Sequence, residues 1–193
     1  MRYSDDHKAK THQRIIEEAA RLFRRDGIGA TGLQPLMKTL GLTHGGFYAH
    51  FKSKDELVET ALAHSAEQLG ERTQQLFSAE APLATFIRSY LSSAHCANPG
   101  EGCPLPTMSA ELGQRGQASP VTDQLVQKRL ESIENCLPGE NAAEQSVVML
   151  STMIGALVLA RSVSDPELSE RLLKTARQQL LAQAQVLAQA QAD

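Results

Sequence analysis

"GLTHGGFYAHFKSKDEL", residues 41–57, decides how this chain folds. Two adjacent glycines, Gly45 and Gly46, precede Phe47, Tyr48 and Phe51. Those three rings are a large share of a chain with five Phe, three Tyr and no Trp. Phe47 and Phe51 stand four apart, the spacing of one helix face. A glycine inside a helix costs about 1 kcal/mol relative to alanine. A short helix with a bare front end must therefore gain something from being bare. Around it, Gly41 stops a preceding helix and Thr43 is placed to cap the next, over residues 44–51. Ser53-Lys54-Asp55-Glu56 then reads as a capping box that starts another.

Working outward, Ile15, Ile16, Ala19, Leu22 and Phe23 follow the 3.6-residue period, and Gly27 is suited to end that helix as a left-handed cap. A short helix follows over residues 34–40, with Pro35 tolerated in its first turn. The helix that starts at the Ser53 box is expected to reach residue 77. Further helices are expected over residues 83–97, 105–112, 120–137 and 142–163, separated by "NPGEGCP", "GQRGQASP" and "PGEN". Ser164-Asp165-Pro166-Glu167 reads as a second capping box opening a last helix to residue 190. No stretch reads as a strand, and no repeat of fixed period is present. The fold class is all-α, with about nine helices.

The first three helices, the second and third joined by the tight "LGLT" turn, make a helix-turn-helix. In that motif the third helix enters the DNA major groove with its N-terminal residues at the base edges. Phe47 and Phe51 then anchor the helix to Ile15, Leu22, Leu36 and Leu40. His44 and Tyr48 share another face, which Gly45 and Ala49 adjoin. That face carries little bulk, so Gly45 and Gly46 read as clearance for a close approach to bases. Lys54, in the first turn of the next helix, stands beside amides that attract phosphate. A plain glycine loop before a short aromatic helix is the alternative. A nucleotide phosphate loop would need a preceding strand and more glycines.

Charge agrees with this placement. Residues 1–54 hold ten Lys/Arg against five Asp/Glu, while the whole chain carries −3, so the remainder is acidic. A basic first segment suits a polyanion partner. No 18-residue apolar run is read, so no membrane partner is expected. The polar start, "MRYSDDHKAK", does not read as a secretory signal. Three cysteines without paired spacing suit a reducing cytoplasm.

Over residues 14–62 the sequence closely resembles the TetR family of bacterial one-component transcriptional regulators. "RIIEEAARLF" follows its Ile-x-x-Ala-Ala-x-x-Leu-Phe first helix as Ile15-x-x-Glu18-Ala19-x-x-Leu22-Phe23, with Glu18 at the first Ala; then come Gly-x-x-x-Thr, a Gly-Leu-Thr turn and Tyr-x-His-Phe-x-Ser-Lys. The resemblance implies a homodimer with a DNA-binding domain over residues 1–54 and a helical ligand-binding and dimerisation domain over residues 55–193. It implies a repressor released from a palindromic double-stranded operator by a small-molecule effector, with no cofactor. Carried over by position, Tyr48 and Lys54 contact phosphates and Thr31 lies near the DNA backbone. His44, Gly45 and Gly46 face bases, and His50 matches a family histidine near the end of the recognition helix. With Thr43, these make the expected DNA-binding set. Met37, where the family usually has a small residue, and Pro35 depart from the pattern, so packing of the second helix is expected to differ.

Outside that segment the sequence supplies candidates of a weaker kind. Phe86, Tyr90, Met108, Met149 and Met153 are candidates for lining an effector cavity, with plain core packing as the alternative. Cys103 stands at the threshold of a helix, where the dipole lowers a thiol pKa, so a redox- or electrophile-responsive regulator is the second reading. His95, Cys96 and Cys103 lack a fourth spaced metal ligand, and Cys136 reads as structural. Ser151 and Gly155 permit a close helix crossing and, with Leu173, Leu180 and Leu187, fit a dimeric four-helix bundle. Packing within one subunit is the alternative there. No nucleophile–base pattern, metal motif or cofactor loop is present, so an enzyme is not expected.

Overall fold

The structure, a computed structural model, describes residues 5–189. Nine α-helices are present among them, with no strand. They are α1 (Asp5–Asp26), α2 (Leu33–Thr39), α3 (Lys54–Phe77), α4 (Pro82–Tyr90) and α5 (Ser93–Ala97). α6 (Ala110–Gln114), α7 (Pro120–Glu134), α8 (Ala142–Ser162) and α9 (Pro166–Gln189) follow. Between α2 and α3 lies a 3-10 helix, His44–Ala49, and a second 3-10 helix, Pro99–Glu101, and a π-helical turn, Leu105–Ser109, precede α6. The expected end of the last helix at residue 190 lies outside the described residues.

The chain divides into two compact units: Met1–Gln68 with Gly100–Val121, and Leu69–Pro99 with Thr122–Asp193. The division falls inside α3, not after residue 54. In the first unit Leu57, Val58, Ala61 and Leu62 of α3 join Ile15, Ala19 and Phe23 of α1 in one apolar core. Met108 and Leu112 belong to that core too.

Local chemistry explains how this unit turns its corners. Gly27 ends α1 at φ +93°, its N–H donating to the Phe23 carbonyl. Gly41 ends α2 at φ +72°, its N–H bonded to Lys38 O, while the Leu42 N–H reaches Met37 O. That pair of bonds is a Schellman motif, which only a left-handed residue at Gly41 closes without strain. Ser53 Oγ accepts the Glu56 N–H at 3.1 Å, and the Glu56 carboxylate returns to the Lys52 N–H at 2.6 Å. The expected capping box thus closes one residue further back than its usual partner.

In the second unit α8 packs along α9, and α9 against α4. Met149, Met153 and Leu157 of α8 are buried, as are Leu173 and Leu180 of α9. The single helix expected over residues 83–97 is broken. Ser92 Oγ accepts the His95 N–H at 3.1 Å and so starts α5 afresh. Two arginines take carbonyls around it: Arg177 donates to Leu91 O at the break at 2.8 Å, and Arg161 to His95 O at 2.6 Å and Cys96 O at 3.1 Å in the last turn of α5. The second capping box is also amended. Pro166 takes the first helical position, so Asp165 rather than Ser164 is the cap, its carboxylate accepting the Glu167 N–H at 2.9 Å.

Candidate nucleic-acid interface

The expected recognition helix is a 3-10 helix. Thr43 caps it as expected, Oγ accepting the Gly46 N–H at 3.2 Å. Two glycines weaken α propensity over so short a run, and the tighter turn results. At its end an α-type bond forms, from the Phe51 N–H to Phe47 O. The sorting of side chains nevertheless holds. Phe47 is fully buried and Phe51 nearly so, their rings stacked at 5.6 Å. Burying two such rings contributes roughly 3–6 kcal/mol, against roughly 2 kcal/mol lost to two glycines. Packing therefore wins, and the element stays in place with a bare front.

That front is outward. Tyr48 is 61% exposed, and His44, Gly45 and Ala49 are exposed beside it. Tyr48 sits edge-on to Phe47 at 5.2 Å and to His44 at 5.9 Å, which limits its freedom without covering its hydroxyl. A Cβ on Gly45 would meet nothing within 4 Å. One on Gly46 would meet Thr43 Oγ at 3.4 Å and the Met37 methyl at 3.9 Å. Met37 is fully buried and fills the space behind Gly46, which is how the protein accommodates a large residue there. Lys38 and Lys52, exposed on either side of this element in the sequence, were not among the expected contacts.

Two of the expected contacts bond within the fold, and a third is half-buried. Thr31 is buried, and its hydroxyl donates to Gly27 O at 2.7 Å within the fold. The Lys54 ammonium donates to Ile28 O at 2.5 Å. Partial burial, and then Arg115, hold its pKa below the ordinary lysine value, against the pull of Glu111 and Asp55. Lys54 therefore serves the turn after α1 before it can serve a phosphate. His50 is half-buried, and its Nδ1 has no hydrogen-bond partner among the described residues. Burial first, then His12 and Lys8, lower its pKa.

The other candidates separate in the same way. Met108 belongs to the core of the first unit, not with Phe86, Tyr90, Met149 and Met153, which are buried in the second. There Phe86 lies under the guanidinium of buried Arg129 at 5.0 Å, and its ring adjoins Phe77 and Tyr90. Tyr90 in turn meets His95, whose pKa is pushed down chiefly by burial. Sequence reasoning missed Arg129 because a charged residue is normally assigned to a helix surface. Cys103 is 2% exposed, which removes the open thiol expected of a reactive cysteine. Leu173 and Leu180 are buried within the subunit and are not open to a partner, while Leu187 is half-buried. Instead α8 exposes Val147, Val148, Ser151, Val158 and Leu159, with Gly155 half-buried on the same stripe. By length and composition alone α8 could also cross a membrane, contrary to the expectation that no segment would qualify.

Residues 15–61 match the family model described as bacterial regulatory proteins, tetR family. The chain is 37% identical over 62 residues to the HTH-type transcriptional regulator AcrR of Shigella flexneri, covering 32% of this chain and 29% of that protein. It is 30% identical over 86 residues to the HTH-type transcriptional repressor KstR2 of Mycolicibacterium smegmatis, covering 44% and 42%. The matched segments thus span less than half the length of these relatives. A solved TetR transcriptional regulator from Chloroflexus aurantiacus J-10-FL shares the fold over 94% of this chain and 96% of that one, with a TM-score of 0.76 and 23% identity.

Proposed function

From the premise that this chain belongs to the TetR family of bacterial regulatory proteins, we propose that it is a cytoplasmic repressor. It binds a palindromic DNA operator as a homodimer and is released by a small molecule held in the second unit. The observation that carries the DNA reading is the His44–Ala49 element, with Phe47 fully buried behind it and Tyr48, His44 and Gly45 bare in front. A phenol hydroxyl serves as a donor to phosphate, and an unadorned backbone lets it approach base edges. Thr43, Gly46 and His50 complete this surface. Lys54 and Thr31 support it from behind.

The second unit suits the other two roles. Exposed Val147, Val148, Val158 and Leu159 form an apolar stripe on a helix whose opposite side is already core. Two copies of that stripe, related by a two-fold axis, give a self-complementary interface. Phe86, Tyr90, Met149 and Met153, with Arg129 over Phe86, offer apolar and cationic groups to an effector. The name of KstR2 as a repressor favours repression over activation. Selection of bound DNA from a random duplex library tests the proposal. Enrichment of an inverted repeat is expected, and an unenriched pool after repeated rounds contradicts it.

A further inference from the structure

The turn that leaves α1 is held by a side chain from the middle of the chain. Glu111 of α6 accepts the Ile28 N–H on one carboxylate oxygen at 2.5 Å and the Gly29 N–H on the other at 2.7 Å. Consecutive backbone N–H groups following a left-handed residue form an anion-binding nest, and Gly27 at φ +93° supplies that residue. The Arg115 guanidinium is paired with the Glu111 carboxylate from outside. Lys54 draws the Ile28 carbonyl the other way, so both ends of one peptide neighbourhood are fixed. The two glycines are needed for the carboxylate to enter. A Cβ at Gly27 would stand 3.0 Å from one carboxylate oxygen, and a Cβ at Gly29 2.8 Å from the other. Bonds to a charged acceptor are about twice as strong as neutral ones, so this is a firm attachment for a turn otherwise outside any helix.

We propose that Glu111 is a positioning residue for DNA binding: its carboxylate, seated in the Ile28–Gly29 nest, fixes the turn from which α2 and the recognition element are suspended. The proposal rests on the DNA-binding reading above. Glu111 touches no DNA; it acts through the backbone of residues 27–31. α2 starts two residues beyond that turn, and the Schellman turn at Gly41 joins α2 rigidly to the His44–Ala49 element. A turn released from Glu111 must be reordered each time DNA is bound, and that ordering cost appears as lost affinity.

The test uses the full chain and an operator selected by the wild-type protein. Glu111→Ala is expected to weaken operator binding about tenfold, the loss of a charge-assisted hydrogen bond. The salt slope and the preferred sequence stay as in wild type, because no phosphate or base contact is removed. Glu111→Gln keeps one acceptor oxygen and nearly the same shape, and gives a smaller loss with an unchanged melt. Gly29→Ala, at a backbone conformation open to alanine, pushes the carboxylate out from the opposite side and reproduces the Glu111→Ala loss. Amide exchange at Ile28 and Gly29 accelerates in all three variants. Wild-type affinity in Glu111→Gln and Gly29→Ala despite faster exchange overturns the proposal alone. A change in salt slope or base preference overturns it too, since Glu111 would then act at the DNA. A wild-type protein that selects no DNA removes the reading beneath it, and the proposal with it.

Discussion

The molecule has two bare surfaces of opposite chemistry, and each is bare for a different reason. The His44–Ala49 element is stripped of bulk: Gly45 and Ala49 stand beside the polar tips of His44 and Tyr48. The outer stripe of α8 keeps its bulk and leaves it uncovered: Val147, Val148, Val158 and Leu159. In both, the opposite side is anchored in a core, by Phe47 in one and by Met149, Met153 and Leu157 in the other. A surface cleared of side chains suits a rigid polar partner that must come close. A surface of uncovered branched side chains suits an apolar partner that takes them out of water. In the function proposed above, the first is the DNA face and the second the dimer face.

The comparison breaks most sharply on α8. Val148→Glu with Leu159→Glu places charges where two subunits would meet. An uncompensated buried charge costs about 3–5 kcal/mol, and two-fold symmetry repeats each one. Sedimentation should show a folded monomer in place of a dimer. A dimer with unchanged affinity would move the interface elsewhere.

Adjacent residues of the recognition element should then behave in opposite ways. Phe47→Ala removes a fully buried ring and should lower stability by about 3–5 kcal/mol. Tyr48→Ala removes an exposed one and should leave the melt unchanged while weakening DNA binding roughly tenfold or more. That loss should be the same for every duplex sequence, because phosphate contacts carry no base information. Titrations that show Tyr48→Ala shifting the preferred sequence would place the ring at a base instead.

Gly46→Ala is a finer test of clearance. Gly46 has no positive φ, and the added methyl meets only ordinary contacts, so stability should hold or rise by up to about 1 kcal/mol. Operator affinity should fall nonetheless. Equal affinity by titration would take Gly46 out of the interface, and a lower melting temperature would revive the loop alternative.

The smallest expected effect is a pH dependence. Burial is the first cause of a lowered pKa at both His95 and His50, with Arg161 adding to it at His95, and His12 and then Lys8 at His50. The bond to the Tyr90 carbonyl pulls His95 the other way. Both sites keep the neutral ring in the fold, so the unfolded chain binds more protons below the ordinary value of 6.5. Stability is therefore fully present above that pH and declines as pH falls toward the lower folded values. Thermal melts across this range should show the decline, and His95→Gln should flatten it.

Much of the DNA-facing half was legible because it is written in local signals. Gly27 and Gly41 end helices, Thr43 and Ser53 start them, and the 47/51 spacing names the buried face. The 3-10 geometry was not legible, since a six-residue run with two glycines fits three- and four-residue periods alike. That Thr31 and Lys54 bond within the fold was not legible, because their acceptors lie in the turn that Glu111 holds from 82 and 83 residues further along the chain. No local pattern announces such a return. In the second unit the apolar period identifies helices but not which face meets which partner. α8 carries apolar residues on every side, and its sequence does not say which of them, or which leucines of α9, the subunit itself covers.

Methylation interference on the selected operator shows whether the His44–Ala49 element meets base edges, because guanine N7 lies in the major groove. N7 methylation should block binding in two groups of guanines, related by a two-fold axis and about one helical turn or a multiple of it apart. Gly46→Ala should weaken binding to the unmethylated site. Interference confined to adenine N3 in the minor groove, or absent from both grooves, would contradict an element kept bare to meet base edges.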